Sequence, residues 1–187
     1  MVLSKETQRY TTNLIKVINS IDDKKVNLLS KKIQKIWENK KSLFICGNGG
    51  SAGNAIHIAN DLIYGIGNGK KPGINVEALT ANSSVLTCLA NDTGYENVFS
   101  KQIQAKGKKN DLLICLSGSG NSKNIINAIK EAKKMKLFTF GIFGYSGGEA
   151  SKIVDEYIHV KINDMQISED LQLIIGHMCM RNIMSRK

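Results

Sequence analysis

The chain has 187 residues, 42% hydrophobic and 22% charged, with a single proline, and this size and composition suit one globular domain spanning 1–187 with a substantial core. It has no opening apolar run and no stretch of ~18 apolar residues, so neither a signal peptide nor a membrane span is expected and the protein reads as cytoplasmic. A net charge of +10 admits nucleic acid or a small anion as partner. The lysine pairs Lys24-Lys25, Lys31-Lys32, Lys70-Lys71 and Lys133-Lys134 carry no interleaved aromatics, however, and read as solvated helix faces, with no nucleic-acid or membrane partner.

Two amphipathic helices are predicted in residues 1–40, from Leu14, Ile15, Ile18, Ile21 and then Val26, Leu29, Ile33, Ile36 and Trp37. Their apolar faces would cover the domain or meet a neighbouring subunit. From there strand and helix alternate. Residues 42–46 form a short apolar strand ending in glycine, and 51–64 a helix; 75–79 form a second strand. Helices over 83–90 and 96–105 flank a turn-like Asn91-Asp92-Thr93-Gly94. A third strand, 111–116, precedes a helix over 121–135; strands at 137–143 and 156–160 follow, and 168–184 closes the chain as a helix. That alternation predicts a three-layer α/β/α sandwich on a five-stranded parallel sheet, with ligands bound at the carboxyl ends of the strands. The four cysteines, Cys46, Cys88, Cys115 and Cys179, are far apart and read as reduced, mostly buried thiols.

Two loops stand at such strand ends: Gly47-Asn48-Gly49-Gly50-Ser51 and Ser117-Gly118-Ser119-Gly120-Asn121-Ser122. A loop that leaves a strand and opens a helix aims free N–H groups and the positive end of the helix dipole at one point. Glycines let an anion approach the backbone and serine hydroxyls add rotatable donors. Ser117, Ser119 and Ser122 make the second loop the stronger phosphate cradle, although one serine alone would be only a helix cap. Gly47-x-Gly49-x-x-Ala52 also satisfies a dinucleotide pattern, but Glu77 lies inside its strand rather than at the end where the ribose ligand belongs. No Gly-Lys-Ser/Thr follows either loop, which excludes a phosphate-loop NTPase.

His57 and Asp61 are four apart on the helix after the first loop, so they share a face, as a solvated pair or as a metal or acid–base pair. Glu169 and His177 are eight apart on the last helix, rotated by roughly 80° and separated by ~12 Å along the axis. Converging on one ligand is awkward for them within one helix, so contributions from different subunits are expected. His159, in a strand, reads as structural.

At these residues the sequence resembles the sugar isomerase (SIS) domain family, and within it the phosphoheptose isomerases. The resemblance spans the chain, through Cys46-Gly-Asn-Gly-Gly-Ser-Ala52, His57, Asn91-Asp-x-Gly-Tyr-Glu-Asn-Val-Phe-Ser100, Ser117-x-Ser-Gly-Asn-Ser122 and Gly176-His177. It implies isomerisation of sedoheptulose 7-phosphate to a heptose 7-phosphate through an enediol, for lipopolysaccharide or capsule. It also implies a flavodoxin-like sheet and a homotetramer with active sites between subunits. By the resemblance, Ser117, Gly118, Ser119 and Ser122 hold the phosphate, and Asn48, Gly49, Gly50, Ser51, Asn91, Asp92 and Glu169 line the sugar. His57, Asp61, Glu169 and His177 match the zinc-binding set, with Asp61, Glu169 and His177 catalytic and one Zn²⁺ per subunit.

Two positions depart from the family's usual residues, which are glutamate where this chain has Asp61 and glutamine where it has Glu169. The departures resemble a branch making nucleotide-linked capsular heptoses. Either carboxylate is then the expected base, with His177 moving protons to and from the oxygens. The competing reading is a non-catalytic sugar-phosphate sensor that docks on a replication or transcription partner. Such proteins need the serine loops but not the two carboxylates and two imidazoles.

Overall fold

The computed structural model describes residues 3–67 and 72–185, so the Lys70-Lys71 pair lies outside the described residues. The strands are β1 (Ser42–Cys46), β2 (Asn75–Ala78), β3 (Leu112–Ser117), β4 (Phe138–Phe143) and β5 (Glu156–His159). They pair in parallel in the order β2-β1-β3-β4-β5. All six residues of β3 are buried, as its unbroken apolar run requires of a strand covered on two faces.

The helices are α1 (Lys5–Asn19), α2 (Asp23–Glu38), α3 (Gly50–Ile63), α4 (Ser83–Thr93), α5 (Ser100–Lys106), α6 (Lys123–Lys134), α7 (Ala150–Ile153) and α8 (Met165–Ser185). Alternation along β3 sorts the core into two layers. Leu112, Ile114 and Leu116 join Leu29 and Ile33 of α2, Ala55 and Leu62 of α3, and Leu171 and Ile175 of α8. Leu113 and Cys115 point the other way, to Ile103 of α5 and Ile125, Ala128 and Ile129 of α6. The result is the three-layer sandwich expected from the sequence.

The first two helices pack on their own chain. Val26, Leu29, Ile33 and Ile36 are buried, and Tyr10 of α1 donates to Asp170 of α8 at 2.5 Å. Burial and that carboxylate push the Tyr10 phenol up to about 12.

Several boundaries differ from those predicted. Helix α4 runs on through Asn91, Asp92 and Thr93 and stops at Gly94, where φ is +87°. Its start is set by Asn82, whose side chain accepts from the Val85 N–H. The segment predicted as one helix over 96–105 is a 3₁₀ turn at Tyr95–Asn97 followed by α5. Helix α7, four residues long, is too short to leave a periodic signal.

The cysteines are all free thiols, and Cys88 is the exposed one. Cys46 and Cys115 face each other across β1 and β3 with sulfurs 3.6 Å apart. Complete burial raises the Cys115 thiol well above its usual pKa, with Cys46 adding to the effect. Cys88 donates to Asp92, and its pKa is raised by that bond, so neither cysteine is poised as a thiolate nucleophile.

Candidate active site

In the 2-1-3-4-5 strand order, the direction of chain progression reverses between β1 and β3, and a crevice opens there at the strand ends. The two glycine loops leave β1 and β3, so they form the two lips of that crevice. Side chains cap the starts of α1 (Ser4), α2 (Asp22) and α4 (Asn82). At the crevice, α3 begins after Gly49 and α6 after Ser122, and neither has a side-chain cap. Among the described residues the Gly50, Ser51, Lys123 and Asn124 N–H groups stay available to an incoming anion, whereas Ala52 donates to the Gly49 carbonyl and Ile125 to Asn124 Oδ1.

The serine loop is folded on itself. Ser117 Oγ accepts from the Gly120 N–H at 3.0 Å and Ser119 Oγ from the Asn121 N–H at 3.2 Å. The next strand end braces it from outside, with the Glu149 N–H donating to Asn121 Oδ1 and the Ala150 N–H to the Gly120 carbonyl. Across the crevice, Asn48 and Asn124 exchange amide hydrogen bonds at 2.9 and 2.8 Å. Tyr95 also donates to Asn48, and Asn124 Oδ1 accepts from the Ile125 N–H. This link ties the two loops into one unit.

Helices α3 and α8 lie side by side and present two stations. At the first, the Glu169 carboxylate packs over Gly50, where a Cβ would come within 2.2 Å of Oε2. Asn54 donates to the Glu169 carbonyl at 2.8 Å and to Gln172 Oε1 at 3.2 Å. Gln172 is 1% exposed, and its Nε2 has no acceptor among the described residues. At the second station, two turns on, His177 Nε2 stands 3.2 Å from His57 Nε2 and 3.3 Å from Asp61 Oδ2. His57 Nε2 is 3.5 Å from the same Asp61 oxygen. Gly176 makes this approach possible, since Ile58 fills the space that a side chain there would take.

Two imidazole nitrogens and one carboxylate oxygen, all within 4.8 Å of one another, suit a divalent ion bound by three protein ligands with a position left open. His57 and His177 are exposed and Asp61 is half-buried, so the cluster is open to solvent. Residues 8–144 match the SIS-domain family model.

The chain belongs to the SIS-domain family.

Within the family, phosphoheptose isomerase of Sulfurimonas denitrificans is 40% identical over 155 residues, 82% of this chain and 78% of the relative. Phosphoheptose isomerase 2 of Campylobacter jejuni is 36% identical over 176 residues, 94% and 83% of the two chains. The solved phosphoheptose isomerase of Neisseria gonorrhoeae superposes with a TM-score of 0.89 at 27% identity, over 98% of this chain and 100% of that one.

Of the residues singled out from sequence, the fold brings His57, Asp61 and His177 together from two helices. Glu169 stands apart from that trio, beside Gly50. Asn48, Gly49, Gly50 and Ser51 form one lip, and Ser117, Gly118, Ser119 and Ser122 the other. Asn91 and Asp92 end α4, where they are exposed and hydrogen-bonded to each other. Glu77 pairs with Lys106, and His159 Nε2 meets the Tyr145 carbonyl at 2.8 Å; both are engaged in the scaffold. Sequence reasoning missed Asn124, Tyr95 and Gln172. The signal for Asn124 and Gln172 was a polar residue on the inward stripe of an otherwise apolar helix.

Proposed function

We propose that the protein isomerises sedoheptulose 7-phosphate to D-glycero-D-manno-heptose 7-phosphate, supplying heptose for lipopolysaccharide or capsule. The observation that carries this is that one chain holds both an uncapped, serine-lined crevice and the His57–Asp61–His177 cluster, and that its relatives are phosphoheptose isomerases. A sensor would need only the crevice, so the cluster favours the enzyme. The phosphate sits on Ser117, Gly118, Ser119 and Ser122 and on the first turn of α6, and anchors the sugar far from its reacting carbons. Asn48, Gly49, Gly50 and Ser51 line the sugar, and Asn91 and Asp92 close it from the end of α4.

Aldose–ketose isomerisation moves a proton between C1 and C2, so it needs a base beside those carbons and stabilisation of the enediolate oxygens. Asp61 is the base: its Oδ2 faces both imidazoles, which leaves Oδ1 for the proton. His177 exchanges protons with the substrate oxygens. Glu169, over the glycine loop, holds sugar hydroxyls. A divalent ion, Zn²⁺ by the donor set, would be held by His57, Asp61 and His177 and would supply electrophilic stabilisation of the developing negative charge.

Large apolar side chains reach solvent on α3 and α1: Ile56 is 45% exposed, Ile63 52%, Tyr64 at the end of α3 75% and Ile15 of α1 59%. Such a surface beside a polar site supports assembly as a homotetramer whose neighbouring subunits complete each active site. The charged substrate fits a cytoplasmic location, and among the described residues no helix is long and apolar enough to cross a membrane.

The test is incubation with sedoheptulose 7-phosphate in deuterated water, followed by NMR at C1 and C2. Exchange and heptose formation are expected, retained in Glu169→Gln and lost in Asp61→Asn. Absence of exchange with and without added zinc would favour the sensor, and the reverse pattern in the two variants would move the base to Glu169.

A further inference from the structure

The sheet has a second opening, at the amino ends of its strands and so at the edge opposite the crevice. It is a cleft of about 730 Å³ between the end of α2 and the starts of β1, β3 and β4, within the volume range of small-molecule sites. Four lysines line it, Lys32, Lys35, Lys41 and Lys136, with two carboxylates, Asp111 and Asp155. The carboxylates are spent on the scaffold. Asp111 is 2% exposed and accepts the Ser42 and Lys108 N–H groups. Asp155 accepts the Thr139 N–H and hydroxyl and pairs with Lys133.

None of the four lysines has a carboxylate within ion-pair distance among the described residues, whose lysine pairs involve Lys25, Lys106, Lys133, Lys134 and Lys152 instead. Lys32 is held in place by lying over the Phe138 ring, 3.6 Å from its centroid. Lys136 follows α6 at φ +63°, a conformation glycine or asparagine adopts at less cost, so the turn does not explain a lysine there. A concave wall of four cations, with both lining carboxylates engaged by scaffold groups, focuses positive potential into the cleft.

We propose that this cleft binds a small polyanion carrying two or more linked phosphates, as in a nucleoside triphosphate or a free polyphosphate. The site is separate from the phosphate cradle, because six residues of β3 at about 3.3 Å each put roughly 20 Å between the two ends of the sheet. The proposal does not depend on the isomerase reading.

The experiment is calorimetric titration of the full chain with ATP and, in parallel, with inorganic tripolyphosphate, at low and at raised salt. Saturable binding that weakens with salt is expected for both; tighter ATP binding identifies a nucleotide as the occupant, and equal affinities identify the phosphate chain alone. The triple variant Lys35→Gln, Lys41→Gln, Lys136→Gln should keep the wild-type melting temperature and bind at least about tenfold more weakly. Ser119→Ala should bind as wild type does. Lack of saturable binding by the wild type, binding that survives the triple substitution, or binding lost in Ser119→Ala overturns the proposal.

Discussion

Gly176→Ala tests whether the contact between α3 and α8 sets the geometry of the His57–Asp61–His177 trio. The added methyl would lie 2.8 Å from Ile58 Cγ1 and 2.9 Å from Cδ1, against the ~3.5–4.0 Å of normal carbon contact. Ile58 is 6% exposed and stiff at χ1, so the helices part by about 1 Å or the side chain leaves its rotamer. Overpacking of this kind costs about 1–3 kcal/mol, and alanine returns about 1 kcal/mol of helix propensity over glycine. The net loss is therefore about 0–2 kcal/mol, a fall in Tm of no more than about 8 °C. The functional effect is larger. His177, the next residue, stands 3.2 and 3.3 Å from its partners, whereas a zinc site tolerates only about 0.2 Å of error in its ligand distances. Zinc affinity, read by competition with a chromophoric chelator, should fall about 10- to 100-fold, the range seen when the groups that orient ligands are disturbed. Ile58→Ala in the same chain removes the clashing atoms and should restore much of that affinity at a further cost in Tm. Wild-type zinc affinity in Gly176→Ala would refute the reasoning.

Ser119→Ala should raise KM for the sugar phosphate by about tenfold with kcat little changed, because it removes a group remote from the reacting carbons. Substituting His177→Gln should cut kcat by about 10²- to 10³-fold, and metal analysis should show reduced zinc content. In Gly50→Ala the Glu169 carboxylate must move away from its present seat; kinetics should show a raised KM while thermal melting stays near wild type. Asp155 is held below the usual carboxylate range: burial opposes this, but the Thr139 N–H and hydroxyl and Lys133 outweigh it. Its folded pKa lies below its unfolded one, so its contribution is present above about pH 4 and fades as pH falls through the folded value. Asp155→Ala should therefore lose about 1–2 kcal/mol at neutral pH, with denaturation curves converging on wild type once the pH has fallen below the folded pKa.

The sequence by itself determined the layered fold and the positions of both glycine loops. Period-2 and period-3.6 apolar spacing is local, and a loop leaving a buried strand such as 112–117 carries its own dipole and donors to the strand end. Local pattern was weakest where the decisive group is one residue: Gly94 ends α4 later than the turn-like Asn91-Asp92 suggested, and α7 is too short to show a period. The site's assembly was decided only in three dimensions. His57 and Asp61 are neighbours on a helix, but their meeting with His177 depends on a glycine that admits Ile58, a contact 118 positions away in the chain. Eight residues of α8 put Glu169 at one station and His177 at the other, a separation that helical rise alone anticipated. The Asn48–Asn124 clasp and the open Gln172 amide are cross-element pairings that no spacing within one segment encodes. The lysine cleft is of the same kind: its four cations come from α2, from the start of β1 and from the turn after α6, and only the closing of the sheet brings them to face one another.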